Sequence, residues 1–503
     1  MENQYKGSIV WHTIGKLLMI VAGSMVFPLV TAFLYQEKNC IYIFALLLPF
    51  VLLIGALLSF LLRPDQKKVH IQVRDGAAIV TYSWILAAAI GTIPYLLAGT
   101  LPTMADAFFE SMSGFATVGA SVMDDIEGAP YSILMWRSVT HWLGGMGIIV
   151  LFVALLSNMG AGAMQIFKAE AAGPVKDKLH PKIADSARSL WALYLFNTAI
   201  TTVMLLFSGM SAFDAINHAF SIVATGGFST RNSSIGAYQS PLIEWVVTGS
   251  MYLSGINYAL LYFVYRHRSL RRFWVNKEFR VYTYVTLGAV LLITGDILPQ
   301  YQYDFWTALR HSAFHVTSIL TTTGFVCYDY ELWVPAAKLL LVLLMFSGAC
   351  AGSTTCGFKI DRHIMLFQQI GCEVQRFLHP RLVRTLKANQ KNLPEPVMHS
   401  VTSFFYLFMF FTVFCTLILC CMGLDLLDAL TGVLGCLGGV GPAMGHWGPT
   451  ESFSSAPGAA KWLLSFLMLL GRLEIYTVLA VLWPDKHKHL RYKKLQFFSE
   501  RDV

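Results

Sequence analysis

Charge is scarce in this chain. Of 503 residues only 13% are Asp, Glu, Lys or Arg, while 55% are hydrophobic. A soluble domain carries about 25% charge, so an ordinary water-facing surface is excluded. Cysteine occurs nine times but never at metal-site spacing. Cys350 and Cys356 flank a Gly/Ser/Thr stretch that no His or second Cys pair completes. Cys415, Cys420, Cys421 and Cys436 lie inside apolar runs, and all nine cysteines read as free thiols packed among helices. No Walker-type glycine loop is present, which leaves no place for ATP hydrolysis. No paired carboxylates or His/Asp cluster marks a membrane interface, which argues against an enzyme acting on lipid.

What the chain has is long apolar runs. Ile41–Leu62, Ala77–Leu97, Tyr131–Leu156, Trp245–Tyr265 and Ser400–Cys421 are each long enough to cross a bilayer as a helix. Ile9–Leu34 shows no small-residue cleavage site, so it is expected to stay as a helix. The net charge of +8 does not imply nucleic acid, because of where the basic residues fall. They sit between apolar runs: Arg63–Arg74, Lys168–Arg188, Arg266–Arg280, Lys359–Lys391 and Lys486–Arg501. With a cytoplasmic N-terminus these segments all fall on the cytoplasmic side, as the positive-inside rule requires, and the C-terminus with them. Each cluster reads first as a topology signal, and second as a contact for anionic lipid or a cytosolic partner.

One segment recurs four times without a gap. Asp106-Ala-Phe-Phe-Glu-Ser-Met-Ser-Gly-Phe-Ala-Thr-Val-Gly119 matches Asp214-Ala-Ile-Asn-His-Ala-Phe-Ser-Ile-Val-Ala-Thr-Gly-Gly227. A third copy runs from His311 to Gly324 and a fourth from Asp428 to Gly441. Ser113, Ser221 and Ser318 correspond, with Gly435 in the fourth copy. Long apolar runs flank each copy, and the copy itself is about half a membrane span, which suggests a re-entrant segment. Asp is a good N-cap, so Asp106, Asp214 and Asp428 are expected to start short helices that end before a Gly-containing tetrapeptide. Non-helical backbone at membrane depth is tolerated only where protein buries it or where it lines a watery cavity. Loops of this kind around one axis would present rings of carbonyls, which replace an alkali ion's hydration shell. The half-helices would point their negative ends at that ion.

These residues resemble the Trk/Ktr/HKT superfamily of potassium and sodium transporters, and in particular the membrane subunit of bacterial Trk systems. The likeness covers essentially the whole chain. It extends to Trp136-Arg-Ser-Val-Thr-His-Trp-Leu-Gly-Gly-Met-Gly147, Gly173-Pro-Val-Lys-Asp-Lys-Leu179, Gly348-Ala-Cys-Ala-Gly-Ser-Thr-Thr355 and Gly471-Arg-Leu-Glu474. The extra helix pair before the first repeat is similar to Trk rather than to the shorter Ktr subunits. The resemblance implies a potassium-binding filter of four tetrapeptides, matching Thr117-Val118-Gly119-Ala120, Thr225-Gly226-Gly227-Phe228, Thr322-Thr323-Gly324-Phe325 and Gly439-Val440-Gly441-Pro442. In the plant branch Ser at the first central position goes with sodium preference, so Gly in all four favours potassium. Here Gly439 stands where the family often has Asn, and His311 where the other copies have Asp. The resemblance further implies a homodimer with one pore per protomer. It also implies a cytosolic regulatory subunit that binds NAD(H) or ATP/ADP, for which Lys168–Arg188 and Lys359–Lys391 are candidate docking segments. No bound cofactor is implied; potassium is the cargo.

Gly348–Gly357 sits within a largely apolar stretch, and its glycines with Ser353, Thr354 and Thr355 disfavour continuous helix. It is either a kink for close helix packing or, as in the family, a flexible loop obstructing the pore (Gly348, Gly352, Ser353, Thr354, Thr355 and Gly357). Arg472 lies inside the apolar run Trp462–Trp483. Such a charge costs at least about 2.5–3.5 kcal/mol. It is either a barrier to cations below the filter, as the family implies, or half of an ion pair, perhaps with Glu474. Asp124, Asp125 and Glu127 follow the first filter loop and either concentrate cations at the outer mouth or form a solvated loop. His141, His218 and His315 read as packed histidines rather than metal ligands or a proton relay.

The expected fold is an all-α polytopic membrane protein with about ten full-length helices, counted from the apolar runs. Four helix–half-helix–loop–helix units surround one pore, preceded by an accessory helix pair. Residues 1–70 hold that pair. The repeats occupy 71–160, 161–270, 271–392 (with the gating loop) and 393–503. The implied function is potassium uptake at the bacterial inner membrane, with both termini cytoplasmic. The rivals are a sodium-preferring or proton-coupled transporter of the same fold, and a polytopic membrane enzyme.

Overall fold

The computed structural model describes residues 2–63, 73–147, 183–379, 387–388, 391–392 and 395–483. In lipid each backbone N–H and C=O needs an internal partner, and a helix supplies it locally. The described chain is accordingly helical, apart from its loops and a two-residue antiparallel ladder, Lys387–Ala388 with Lys391–Asn392.

Helices α1 (Glu2–Ser24) and α2 (Val26–Leu34) form one apolar span, and α3 (Lys38–Leu61) returns beside it. The pair packs at Gly15 and Gly55, where a Cβ on either would collide with the other's carbonyl oxygen. Close approach through small residues is how helices pack when lipid offers no hydrophobic drive. The face of α3 bearing Leu46, Phe50, Leu53 and Phe60 is exposed, as a lipid-facing surface would be.

Four similar units follow. The first is α4 (Val73–Leu97), the half-helix α5 (Met104–Phe115) and α6 (Tyr131–Gly145). The second is α7 (Ile183–Phe207), the half-helix α8 (Ala212–Ala224), α9 (Pro241–Ser254) and α10 (Tyr258–His267), after which α11 (Arg271–Val275) connects onward. The third is α12 (Lys277–Ile297), the half-helix α13 (Phe305–Leu320), α14 (Pro335–Met345) and α15 (Ile360–Leu378). The fourth is α16 (Glu395–Cys421), the half-helix α17 (Leu426–Gly438), α18 (Gly458–Arg472) and α19 (Glu474–Leu482).

Among the described residues six stretches are long and apolar enough to cross a membrane: the two of the N-terminal pair and the first helix of each unit. The described residues thus supply six of the about ten full-length helices expected. The second helix of units two to four is interrupted. The run Trp245–Tyr265 breaks at Gly255–Asn257, where the Asn257 side chain accepts from the N–H groups of Ala259 and Leu260 and starts a new helix. The run Trp462–Trp483 breaks at Leu473, where α18 and α19 diverge by 114° and Glu474 takes φ 55°. Tyr131–Leu156 leaves the described residues after Gly147.

The half-helix caps also differ from expectation. Thr103, Ser211, Asp304 and Asp425 are the N-caps. Asp106, Asp214 and Asp428 lie three residues further on, in the first turn, where a carboxylate suits the helix dipole. There they hold later chain in place. Asp106 pairs with Lys461 at 2.6 Å, Asp214 accepts from Thr230 Oγ1 at 2.6 Å, and Asp428 accepts from the His446 N–H at 3.0 Å. The third half-helix starts at Phe305, so His311 sits one turn deeper than the aspartates it replaces.

Candidate ion pathway

Each half-helix ends in the same irregular backbone. Thr117, Thr225 and Thr322 take φ 53°, 54° and 53°, and Gly439 takes φ 74°. Non-glycine residues rarely adopt this left-handed region. Two residues on, Gly119, Gly227, Gly324 and Gly441 have φ 82°, 89°, 80° and 95°. The residues between them, Val118, Gly226, Thr323 and Val440, are not left-handed. Alternating the sign of φ turns successive carbonyls to one side of the strand. A shared hydrogen bond holds each strand: the N–H groups of Val118, Gly226, Thr323 and Val440 donate to the carbonyls of Ser113, Ser221, Ser318 and Gly435 at 2.8–2.9 Å. The repeated Ser/Gly position is this anchor.

The strands close into a ring. A Cβ on Gly119 would run into the carbonyl oxygen of Gly226, one on Gly227 into that of Thr323, one on Gly324 into that of Val440, and one on Gly441 into that of Val118. Each unit thus touches the next, and the fourth touches the first. The third position is glycine for two reasons at once: its φ and its neighbour's oxygen. Beyond these glycines opens a cavity of about 250 Å³ lined by Gly119, Gly227, Gly324, Pro442 and Asp124. Asp124 therefore stands at this mouth. Asp125 instead accepts from the Gly128 N–H at 2.9 Å, and Glu127 lies 3.8 Å from Arg231.

The Gly348–Gly357 segment is a loop rather than a kinked helix. Its neck is closed by Gly348 N–H donating to Phe358 O (3.2 Å) and Ile360 N–H to Ala349 O (3.1 Å). Gly352 is left-handed at φ 71°, and its carbonyl accepts from the Tyr258 N–H at 3.0 Å. The tip reaches the first ring position of every unit. Thr225 donates to Thr354 Oγ1 at 3.3 Å, and the Cys356 N–H donates to Thr322 Oγ1 at 3.0 Å. Cys356 Sγ lies 4.0 Å from Thr117 Oγ1, and a Cβ on Gly439 would strike the Cys356 side chain. The loop lies across the end of the ring opposite the cavity.

Arg472 joins it there. Its Nη1 donates to Thr117 Oγ1 at 3.1 Å and to Thr354 O at 2.9 Å. Its Nη2 donates to Gly145 O at 2.8 Å and to Gly144 O, the last carbonyls of α6. Among the described residues Arg472 makes no ion pair, and Glu474 pairs instead with Arg362 at 2.5 Å. The alternative of an Arg472–Glu474 pair is thereby corrected: the 114° bend between their helices parts them. The guanidinium is held by carbonyls, so its charge is not cancelled.

The three histidines pack as expected. His218 bonds Asp214 O and Ser229 Oγ at 2.8 and 2.9 Å, His141 bonds Ser221 and stacks on Phe228, and His315 accepts from the Tyr328 N–H. Sequence reasoning missed the pair behind the ring. Arg137 and Glu110, 1% and 0% exposed, meet at 2.8 Å. Glu110 also accepts from the Val122 N–H, and Arg137 donates to Ser229 O, so the pair ties the chain after the first ring strand to that after the second. The signal was available, because Arg137 is an arginine inside an apolar run just as Arg472 is. The reliance of the Gly348–Gly357 loop on Cys356 and on the Glu278 carboxylate, which accepts from the Ala351 N–H, carried no local signal. Residues 168–182 lie outside the described residues, as do most of 380–391.

Glu110→Gln would leave Arg137 buried without its counter-charge, at a cost of about 3–5 kcal/mol. Thermal unfolding in detergent should show a clearly lowered melting temperature. The double change Glu110→Gln with Arg137→Met should recover part of the loss.

Comparison with known proteins accords with this geometry. The family described as TrkH, cation transport protein, matches residues 43–487. The chain is 36% identical over 475 residues to the Trk system potassium uptake protein TrkH of Salmonella typhimurium, covering 94% of this chain and 97% of that one. It is 35% identical over 473 residues to TrkG of Escherichia coli K12, covering 94% and 96%. The crystal structure of the potassium transporter TrkH from Vibrio parahaemolyticus superposes with a TM-score of 0.85 at 32% identity, over 96% of this chain and 99% of that one. Four ring strands, a loop lying across one end of the ring and agreement along nearly the full length of these proteins lead to one conclusion: this multi-pass membrane protein belongs to the TrkH family of cation transporters.

Proposed function

We propose that this protein takes up potassium across the bacterial inner membrane, as its relatives are named for doing. The observation that carries the proposal is the closed ring of left-handed glycines at Gly119, Gly227, Gly324 and Gly441. In this account potassium sheds its water against the carbonyls of residues 117–119, 225–227, 322–324 and 439–441. The loop Gly348–Gly357 and Arg472 close the cytoplasmic end. A unit charge about 4 Å from a cation repels it by about 4 kcal/mol at an effective dielectric near 20, and ~1.4 kcal/mol is a factor of ten in rate. A homodimer and a cytosolic nucleotide-binding subunit, sensing NAD(H) or ATP/ADP, complete the system. That subunit would act by drawing the loop and Arg472 away from the ring. Both termini would be cytoplasmic.

Rubidium flux into liposomes, normalised to folded protein, tests the gate. Arg472→Ala should raise flux severalfold without any regulatory subunit, and Arg472→Lys should raise it less. Lower flux from Arg472→Ala together with a lowered melting temperature would make Arg472 a structural residue instead. The same assay under sodium competition tests the ring. Gly119→Ser would force a side chain against the Gly226 carbonyl and should raise sodium permeation relative to rubidium; unchanged selectivity would remove Gly119 from the ion's path.

A further inference from the structure

One face of α6 grips the second ring strand from behind. Arg137 and His141 are four residues apart on that helix, so their side chains leave it on the same side. Both meet the ring of Phe228, the residue after Gly227. The His141 imidazole stacks on that ring at 4.1 Å between centroids, with the planes 14° apart. The Arg137 guanidinium carbon lies 4.1 Å from the same centroid. One phenyl face cannot hold both groups at that distance, so they cover opposite faces. The edge of the ring meets α5, where a Cβ on Gly114 would lie 3.5 Å from Phe228 Cε2.

The grip extends along the chain. A Cβ on Gly226 would strike the His141 imidazole. His141 Nδ1 is hydrogen-bonded to Ser221 Oγ at 3.2 Å, and the Ser221 carbonyl is the one that anchors the Gly226 N–H. Arg137 Nη1 donates to Ser229 O at 3.0 Å. Residues 226, 228 and 229 are thus each held by one or both of two α6 side chains. The equivalent places in the other units are built differently. Phe325, after the third ring glycine, belongs to an apolar cluster with Val247 and Met251 of α9. Ala120 and Pro442 follow the first and fourth ring glycines and offer no aromatic ring to be stacked.

We propose that Arg137, Phe228 and His141 form a positioning clamp that fixes the second strand's distance from the ring axis, and so determines how strongly the ring rejects sodium. The inference rests on the potassium reading given above. Carbonyls that replace a hydration shell discriminate by size only if they cannot follow a smaller ion inward. The clamp opposes that movement, because an inward step of the strand would pull Phe228 from between its two flat partners. Arg137 and Phe228 also line the cavity outside the ring, so the clamp stands at the end where an ion arrives with its water. It acts through the backbone of Gly226 and Gly227 rather than by contact with the ion.

The test measures sodium and rubidium influx into liposomes, per folded full-length protein, alongside melting temperature in detergent. Phe228→Leu and His141→Gln each remove one flat partner of the stack. Phe44→Leu makes a similar change at a buried phenylalanine of the N-terminal pair. Phe228→Leu and His141→Gln should each raise the sodium-to-rubidium ratio about two- to tenfold, the range that one stacked aromatic contact can supply. Phe44→Leu should lower the melting temperature and leave the ratio at the wild-type value. A wild-type ratio in both clamp variants would overturn the clamp and leave the potassium reading standing. An equal rise in Phe44→Leu would make the ratio a mark of general loosening and overturn it too. No rubidium influx in wild type would defeat the potassium reading itself, and the clamp with it.

Discussion

The whole arrangement depends on irregular backbone being tolerated at membrane depth. A strand that leaves a helix inside the bilayer exposes peptide groups at several kcal/mol each unless protein or water satisfies them. This chain satisfies them four times over with one device. A half-helix hands a carbonyl of its last turn to the second strand residue, and a left-handed glycine lets the next unit's carbonyl approach. No strand would be stable alone; each is walled by its neighbour, and the last walls the first. The six long helices, the N-terminal pair among them, and the packed histidines are scaffolding for that closure.

Charge within this apolar chain is handled in two ways. Glu110 with Arg137 and Asp106 with Lys461 are compensated pairs at 2.8 and 2.6 Å that pin chain beyond the ring. Removing one partner of such a pair strands the other. Arg472 is bonded only to oxygens of neutral groups and to Cys356 Sγ among the described residues. Its position at a helix C-terminus stabilises it modestly, by about 0.3–1 kcal/mol. That leaves an uncompensated positive charge beside the ring, bonded to both Thr117 and the loop.

The ring was legible in the sequence because its cause is local: a gap-free repeat ending in Gly marks a left-handed position wherever it recurs. The segment Gly348–Gly357 was legible only as one of two alternatives, a helix kink or a loop, because its glycines with Ser353, Thr354 and Thr355 disfavour continuous helix without choosing between them. The caps were misplaced by three residues because Asp serves both as N-cap and as first-turn acid. In this chain the cap is Thr103 or Ser211 and the acid stands behind it. Breaks in the second helices were hidden, since Gly255 and Leu473 leave hydropathy unchanged while the partners that exploit the break come from other units. Arg472 was found by its charge, but its partner was not, because sequence proximity to Glu474 says nothing of a 114° bend. Cys356 meeting three of the four units is a purely tertiary fact.

The central claim is that the four strands enclose an ion's path, and locating the ion itself tests it most directly. Anomalous diffraction from crystals grown with thallium or rubidium in place of potassium would do so. The account predicts ion density on the ring axis, among the carbonyls of Val118, Gly226, Thr323 and Val440. Ions bound elsewhere in the protein, with the ring axis empty, would contradict it.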